Sequence, residues 1–584
     1  MYRAPVEEIA FTLNHVAGLK TALDEGRLGD LSEDLVGAIL EEAGRFANEE
    51  IAPLYKAGDE HGAALKDGKV TTPPGWKELY KNWCAGGWNA IAAPEEFGGQ
   101  GLPMMLSVAA LEMWNSGAMA FAIGPTLTMG AIEAMEKHAS AELQATYLEK
   151  LVSGEWMGTM NLTEPQAGSD LNALRARAEP VGDGSYRIFG QKIFITYGEH
   201  DFTDNIVHMV LARLPDAPAG TRGISLFLVP KFLVNEDGSL GARNDVVCAS
   251  IEHKLGIHGS PTCTMIYGDG AHGVKPGAIG WLIGEENKGL ACMFTMMNNA
   301  RLAVGMQGVA VAEMACQKAL AYAQERRQGR AEGDSSDGMS PIVLHPDVKR
   351  TLLTMKALTR IARAISYSCA HATDMAKGDD ASHWQERANL LTPIAKAFST
   401  DIGVEVASMG VQVHGGMGYI EETGAASLLR DARIAPIYEG TNGIQAIDLV
   451  MRKLPLSGGE HIHGYIAELR EDVEALRKSN LPDLGSSADR IAAALDDFQA
   501  ATRHLQALQG EGNSAAALAG ATPYLRLFAL AAGGAYLARA AIAAKGGERA
   551  GLCRFFAENM IAETAALRTS VIEGAESLAA ADAA

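Results

Sequence analysis

A mostly α-helical chain with a central β domain and an extra helical domain at its C-terminal end is the fold class the sequence predicts. Three observations carry it: apolar residues at helical spacing on both sides of a central stretch, short β-branched and aromatic runs within that stretch, and about 130 Ala-rich, helically patterned residues after residue 455. At roughly 150 residues per domain, 584 residues suit three or four domains.

From Ser32 the segment SEDLVGAILEEAGRFANEEIA sets Leu35, Val36, Ile39, Leu40, Ala43 and Phe46 on one helix face, with Glu33 and Asp34 in the first turn, where carboxylates suit the helix dipole. Two further helical patterns, SVAALEMWNSGAMAFAIG and ASAELQATYLEKLVSGEW, follow the Gly- and Pro-rich surface turn at 93–103, so residues 1–157 read as an all-helical first domain. YRIFGQKIFITYG, NIVHMVLARL and GISLFLVPK are short runs bounded by Gly, Asp or Pro, which makes 158–280 a β domain. Helical stripes resume at Gly289 and run to HGGMGY, interrupted by a Gly/Ser/Asp loop at 329–340; residues 281–455 are long enough to pack as a bundle. LPLSGGEHIHG reads as the linker into a last domain over 460–584.

Charge narrows the function. With 50 Lys and Arg against 71 Asp and Glu, the formal charge is −21, which repels nucleic acid and anionic membranes. The N-terminus lacks the apolar run of a signal peptide and no run of 18 uncharged apolar residues occurs, so a cytoplasmic protein without a membrane partner is expected. Seven cysteines with no CxxC pair, and histidines without ligand spacing, predict neither a disulfide framework nor a metal site. No GxGxxG opens a strand-to-helix turn and no GxxxxGK[ST] or HExxH is present, so a dinucleotide must be held without a Rossmann or P-loop device.

Four segments carry hydrogen-bonding groups dense enough for a site, and each has an ordinary reading beside it. MNLTEPQAGSDLNAL (160–174) is a tight polar turn at the helical-to-β boundary or a plain capping loop. In QKIFITYGEHD, Phe194 and Thr196 lie two residues apart on one strand face, where a ring and a hydroxyl line a flat ligand or simply pack the core. VQVHGGMGYIEE places Gly415, Gly416 and Gly418 after a helix, with Gln412 and His414 as donors; a glycine C-cap explains the same residues. In RDARIAPIYEGTNGIQAIDLV, Glu439 stands against Ile437 and Tyr438, where apolar surroundings raise a carboxylate toward the basicity a carbon acid needs, or it is an acidic residue near a helix start.

Taken together, TEPQAGSD, the F-I-T strand, the helix starting at Arg301, ERRQGR, HGGMGY and RDARIAPIYEGTNGIQ resemble the acyl-CoA dehydrogenase family in order and separation, over roughly residues 35–450. The resemblance implies FAD held between a β domain and two helical domains. It makes Glu439 the base that takes the α-proton of an acyl-CoA thioester while the β-hydrogen leaves as hydride to the flavin, giving a trans-2-enoyl-CoA. It implies that the thioester oxygen is held by the Glu439 backbone N–H and a flavin ribityl hydroxyl. By motif, Met160, Leu162, Thr163, Gly168 and Ser169 match the loop at the flavin ring and pantetheine entrance, and Phe194 and Thr196 the pair flanking the ring, with Phe194 where many members carry Trp. Arg326 matches the arginine reaching a neighbouring subunit's FAD; Gln412, Gly415 and Gly416 match the adenine diphosphate segment; Thr441, Asn442 and Gln445 match the pyrophosphate and adenosine contacts. On the substrate side stand Ser169, Asn298, Arg301, Tyr438 and Gly440. Asn298 replaces an Asp of shorter members, and ERRQGR is one residue short and followed by the 329–340 insertion.

The residues beyond 455, the opening MYRAP and EHKLGIHGSPTC (252–263) resemble a subgroup of large bacterial members. That resemblance implies 3-methylmercaptopropionyl-CoA, a short thioether substrate of dimethylsulfoniopropionate catabolism; medium- and long-chain fatty acyl-CoA stay open, as do an oxidase, a non-catalytic acyl-CoA-binding protein and an alkylation-response relative. Phe121, Met129 and Met113 are candidates for closing a short acyl tunnel, or plain core. Electron-transferring flavoprotein is the expected acceptor, and the extra domain implies a homodimer rather than a tetramer.

Overall fold

The structure, a computed structural model, describes residues 2–335 and 337–582. Met1 of the MYRAP opening, Ser336 of the 329–340 loop and the last two residues of the expected C-terminal domain lie outside the described residues.

The chain folds into two compact units. One gathers residues up to 45, 104–116 and from 301 onward; the other holds 46–103 and 117–300. The N-terminal segment expected as one domain over 1–157 is thus shared between both units, and the two C-terminal segments belong to one apart from 281–300. The break in the long helix Met104–His138 explains part of this sharing: Ala118 is extended (φ −162°, ψ 98°), ending one helix and starting another at the unit boundary.

The helix Glu33–Phe46, in the first unit up to Arg45, is capped by Ser32, whose hydroxyl accepts from Leu35 N at 3.2 Å. Val36, Leu40, Ala43 and Phe46 are buried as the periodicity requires, whereas Leu35 is 47% exposed because it sits in the first turn at the edge of the stripe. The long helices Gly289–Glu325, Pro346–Met375 and Ala381–His414 form the body of this unit, the first entering it at Arg301. The first and third meet backbone to backbone: a side chain at Gly308 would stand 2.1 Å from the Ser399 carbonyl oxygen. The six helices from Glu460 to Ala580 pack onto the same body, with Gly533 of the helix Ala521–Ala543 against Ile361. That helix is long and apolar enough to cross a membrane, but 83% of its apolar window is buried. Inside the unit, Arg363 is clamped between Glu112 (2.5 Å) and Glu313 (2.8 Å), with the Tyr367 hydroxyl on Glu112.

The second unit is built on an eight-stranded sheet. Its strands are β3 (Trp156–Asn161), β4 (Arg177–Pro180), β5 (Ser185–Thr196), β6 (Asn205–Arg213), β7 (Ile224–Pro230), β10 (Val246–Ile251), β11 (Thr262–Tyr267) and β12 (Ala278–Ile283); β8 (Phe232–Val234) and β9 (Leu240–Arg243) form a separate hairpin. Strands run in the order β10-β11-β5-β12-β7-β6-β3, and β4 joins β5 to β6, so β5, β12, β7, β6 and β4 form a ring. All pairings are antiparallel except β3 with β6 and the single β4–β6 contact. The β region therefore runs from 156 to 283, slightly beyond its expected bounds.

This unit corrects the expectation of an all-helical start. Ala64–Lys66 and Lys69–Thr71 pair as a hairpin, β1 and β2, around Asp67-Gly68, both at positive φ (51° and 74°), the backbone a tight primed turn needs. It also corrects the tunnel reading of Phe121, whose ring packs edge-on against Trp76 (5.7 Å) and Trp83 (6.0 Å) in a closed aromatic core. Met113 is fully buried in the other unit beside Gly44, and Met129 is half-buried.

Candidate active site

In the first unit Glu439 stands on a turn between two short helices. Asn442 N–H closes that turn onto the Pro436 carbonyl at 3.0 Å, and Thr441 caps the helix Asn442–Asp448, its hydroxyl accepting from Ile444 N–H. The turn requires left-handed backbone at two successive residues, Glu439 (φ 55°) and Gly440 (φ 87°). Glycine adopts that conformation freely; glutamate does so at a cost of about 1–3 kcal/mol, so the surroundings must hold it. They do so from below. Gln445, completely buried, donates its Nε2 to the Glu439 and Gly440 carbonyls, each at 3.3 Å. Lys396, also completely buried, donates to the Gly440 carbonyl at 2.9 Å and to Asn442 Oδ1 at 2.8 Å. Asn442 Nδ2 donates to the Ala397 carbonyl, Thr400 Oγ1 and Asp401 Oδ1.

Two expectations change here. Asn442 and Gln445, matched by motif to cofactor contacts, spend their side chains inside the protein, tying the turn to the helix Ala381–His414. His414 is no ligand donor at Nδ1, which donates to the Gly410 carbonyl at 2.7 Å while the ring stacks on Tyr322.

Burial drives the Glu439 carboxyl above its ordinary pKa, with Arg301 and Lys396 pulling it back. Arg301 is itself buried, 3.9 Å from Asp448, and burial lowers its own affinity for its proton against the pull of Asp448 and Glu439. The Tyr438 hydroxyl is tied to Gln307. The Glu439 backbone N–H has no acceptor among the described residues, as a donor to a substrate oxygen must. Gly415 (φ 59°) and Gly416 form an open shoulder where a side chain would meet nothing within 4 Å, Gln412 is exposed beside them, and Arg326 is exposed at the end of the helix Gly289–Glu325.

In the second unit the loop after β3 is anchored by Glu164, which accepts from Arg175 N (2.7 Å), Ala176 N (3.0 Å) and the buried Lys192 ammonium (2.8 Å). Lys192 also donates to the Leu162 carbonyl at 3.0 Å. This internal frame leaves Gly168 and Ser169 exposed, Leu162 and Thr163 half-buried and Met160 buried. Phe194 is not part of a regular strand: β5 bulges against β11 at this point, and Phe194 takes φ 60°. The bulge turns its ring outward, 57% exposed, with Thr196 half-buried two residues on. An exposed aromatic ring held in left-handed backbone, with a threonine two residues on, fits the face of a flat ring system such as a flavin. Asn298, in the same unit, is exposed.

Family models described as the N-terminal, middle and C-terminal domains of acyl-CoA dehydrogenase match residues 36–155, 159–269 and 287–454, and one described as acetyl-CoA dehydrogenase C-terminal like matches 464–582. The 3-methylmercaptopropionyl-CoA dehydrogenase of Ruegeria pomeroyi is 44% identical across 99% of both chains. The chain belongs to the acyl-CoA dehydrogenase family. This dehydrogenase is also 32% identical to the broad-specificity linear acyl-CoA dehydrogenase FadE5 of Mycobacterium tuberculosis, over 88% of this chain and 85% of that one. An acyl-CoA dehydrogenase of Bacillus anthracis solved with FAD shares its fold, with a TM-score of 0.73 at 22% identity, over 94% of this chain and 90% of that one. FAD is the cofactor of the dehydrogenase family.

Sequence reasoning passed over Lys396, Gln307, Lys192 and Glu164, which support the site from beneath. One signal was available: Lys396 interrupts the apolar run Ile394, Ala395, Ala397, Phe398, a place where a lysine is not buried unless it serves a partner.

Proposed function

We propose that this dehydrogenase converts 3-methylmercaptopropionyl-CoA to methylthioacryloyl-CoA, with Glu439 as the base, in dimethylsulfoniopropionate breakdown in the cytoplasm. The observation that carries the substrate is the identity to the Ruegeria pomeroyi enzyme along the whole chain, the C-terminal extension included. What carries the base is the Glu439 turn itself.

The α-proton of a thioester is a weak acid, so its removal needs a carboxylate more basic than a solvated one, and burial supplies that. Arg301 and Lys396 pull the proton affinity of that carboxylate back down against burial. The Glu439 N–H donates to the thioester oxygen as negative charge develops there. FAD supplies the acceptor for the β-hydrogen; in this reading Met160, Leu162, Thr163, Gly168, Ser169, Phe194 and Thr196 hold its ring, Gln412, Gly415, Gly416 and Thr441 its diphosphate end, and Arg326 the FAD of the second subunit of a homodimer. Ser169, Asn298, Arg301, Tyr438 and Gly440 serve the acyl-CoA. Electron-transferring flavoprotein takes the electrons onward.

Anaerobic mixing with acyl-CoA tests this. Wild-type protein loaded with FAD is expected to bleach with 3-methylmercaptopropionyl-CoA faster than with butyryl-CoA or palmitoyl-CoA. Glu439→Gln is expected to keep FAD and lose at least about a thousand-fold in bleaching rate. Equal bleaching by both proteins overturns the base; faster bleaching by palmitoyl-CoA replaces the thioether substrate with the broad linear range that the FadE5 likeness suggests.

A further inference from the structure

The cation under the base turn has no ordinary reason to be there. Lys396 lies within the helix Ala381–His414, wholly buried, and both acceptors of its ammonium, the Gly440 carbonyl and Asn442 Oδ1, are neutral. Burying an ammonium on neutral partners is costly, and a methionine of similar length would fill the same space without that cost. The placement is also rigid: a side chain at Gly305 would stand 2.5 Å from the Ala395 carbonyl oxygen, so the helix Gly289–Glu325 presses directly on the backbone that carries Lys396.

We propose that Lys396 is a positioning residue for Glu439: by gripping the Gly440 carbonyl it fixes the left-handed turn, and its charge sets the proton affinity of the base from behind. The inference rests on Glu439 being the base. Lys396 itself touches no substrate, since its three N–H groups point into the protein and two are already used.

The charges around this pair are few. Helix Ala381–His414 contributes Asp401, the turn contributes Glu439, helix Gly289–Glu325 contributes Arg301, and Asp448 of the helix after the turn faces Arg301. Burial pulls the Lys396 ammonium down to about 7, with Glu439 and Asp401 opposing the fall and Arg301 adding to it. Removing Lys396 takes away one of the two cations that hold the Glu439 carboxyl down, so that carboxyl titrates at higher pH.

Three variants of the full-length holoenzyme test the proposal: Lys396→Met, Lys396→Gln and Lys396→Arg. The decisive readout is exchange of the α-hydrogens of bound phenylacetyl-CoA with solvent deuterium, because that thioester has α-hydrogens and no β-hydrogens and reports the base without any oxidation. Lys396→Met is expected to keep its FAD and its affinity for CoA thioesters while exchange falls about ten-fold or more, and the acid limb of the exchange-pH profile moves to higher pH. Lys396→Gln is expected to lie between Met and wild type in rate but to show the same upward limb, and Lys396→Arg to restore the limb. Exchange within two-fold of wild type and an unmoved limb in Met or Gln overturn the proposal, and so does failure of all three variants to fold, which would make Lys396 purely structural. Glu439→Gln run alongside separates the two readings: if it too exchanges at the wild-type rate, it is the base that has been misassigned.

Discussion

Two buried lysines hold up two halves of this molecule, and they do so differently. In the β-rich unit Lys192 is paired with Glu164 and grips the Leu162 carbonyl; two residues along, Phe194 takes left-handed backbone and turns its ring out. In the helical unit Lys396 grips the Gly440 carbonyl beside Glu439, also left-handed, with no carboxylate hydrogen-bonded to it. Each lysine lies near a candidate side chain held in left-handed backbone. The difference lies in the counter-charge. Burial alone would raise Glu164, but Lys192 and two backbone N–H groups hold it below its ordinary value, and Lys192 stays higher, at about 8, than Lys396 at about 7. A lysine with its own carboxylate is a structural rivet; one whose charge is matched only across space, by the Glu439 and Asp401 carboxylates, is the one we propose to be coupled to chemistry.

The comparison breaks most readily at the rivet. Lys192→Met leaves Glu164 ionised and buried without its cation, which costs about 3–5 kcal/mol in urea unfolding of the apoprotein. Adding Glu164→Gln in the same chain is expected to recover most of that loss, because the unpaired charge is gone. Lys396→Met, by contrast, is expected to change rates and pH dependence far more than stability. If the two single variants prove equally destabilising, the distinction between rivet and positioning residue fails.

What could be read from the sequence follows the same division. The order of helical, β and helical segments was legible, because apolar periodicity and β-branched runs are local properties, and Gly289, where a long helix begins, was placed correctly. The hairpin at 64–71 was missed although Asp67-Gly68 announced its turn, since each strand is only three residues long and too short for alternation to register. Glu439 and Phe194 were legible as candidates through the motifs around them. Their left-handed backbones were not, because nothing in a run such as Ile193-Phe194-Ile195 departs from a regular strand; the bulge is imposed by pairing with Cys263 and Met265, some seventy residues away. Lys192 and Glu164 are 28 residues apart and Lys396 and Gly440 are 44, so these partnerships exist only in the fold. The motif match also assigned Asn442 and Gln445 to a ligand, where the structure shows them facing inward.

A smaller effect sharpens the helical half. A side chain at Gly440 would need φ near 87° and would come within 2.8 Å of Gln445 Nε2, the donor that holds the turn from below. Gly440→Ala is expected to cost about 1–2 kcal/mol of stability in a thermal melt. Its proton-abstraction rate should fall about ten-fold, because the displaced Gln445 no longer fixes the Glu439 carbonyl. A variant with the stability loss but an unchanged rate would show that the turn tolerates movement and that the tethers beneath it serve folding alone.

The smallest effect belongs to the β-rich half, and its sign is opposite. Phe194 is already more than half exposed, so removing its ring forfeits little burial, while glycine relieves the left-handed strain at that position. Phe194→Gly is therefore expected to leave the apoprotein unchanged or more stable by less than about 1 kcal/mol, since the extra chain entropy of glycine offsets part of the relieved strain. The same variant should lose FAD on gel filtration more readily than wild type if, as we propose, the ring it lacks is the one offered to the cofactor. Apoprotein destabilised by this change would mean that the ring supports the fold, and that the bulge in β5 exists for packing rather than for a ligand.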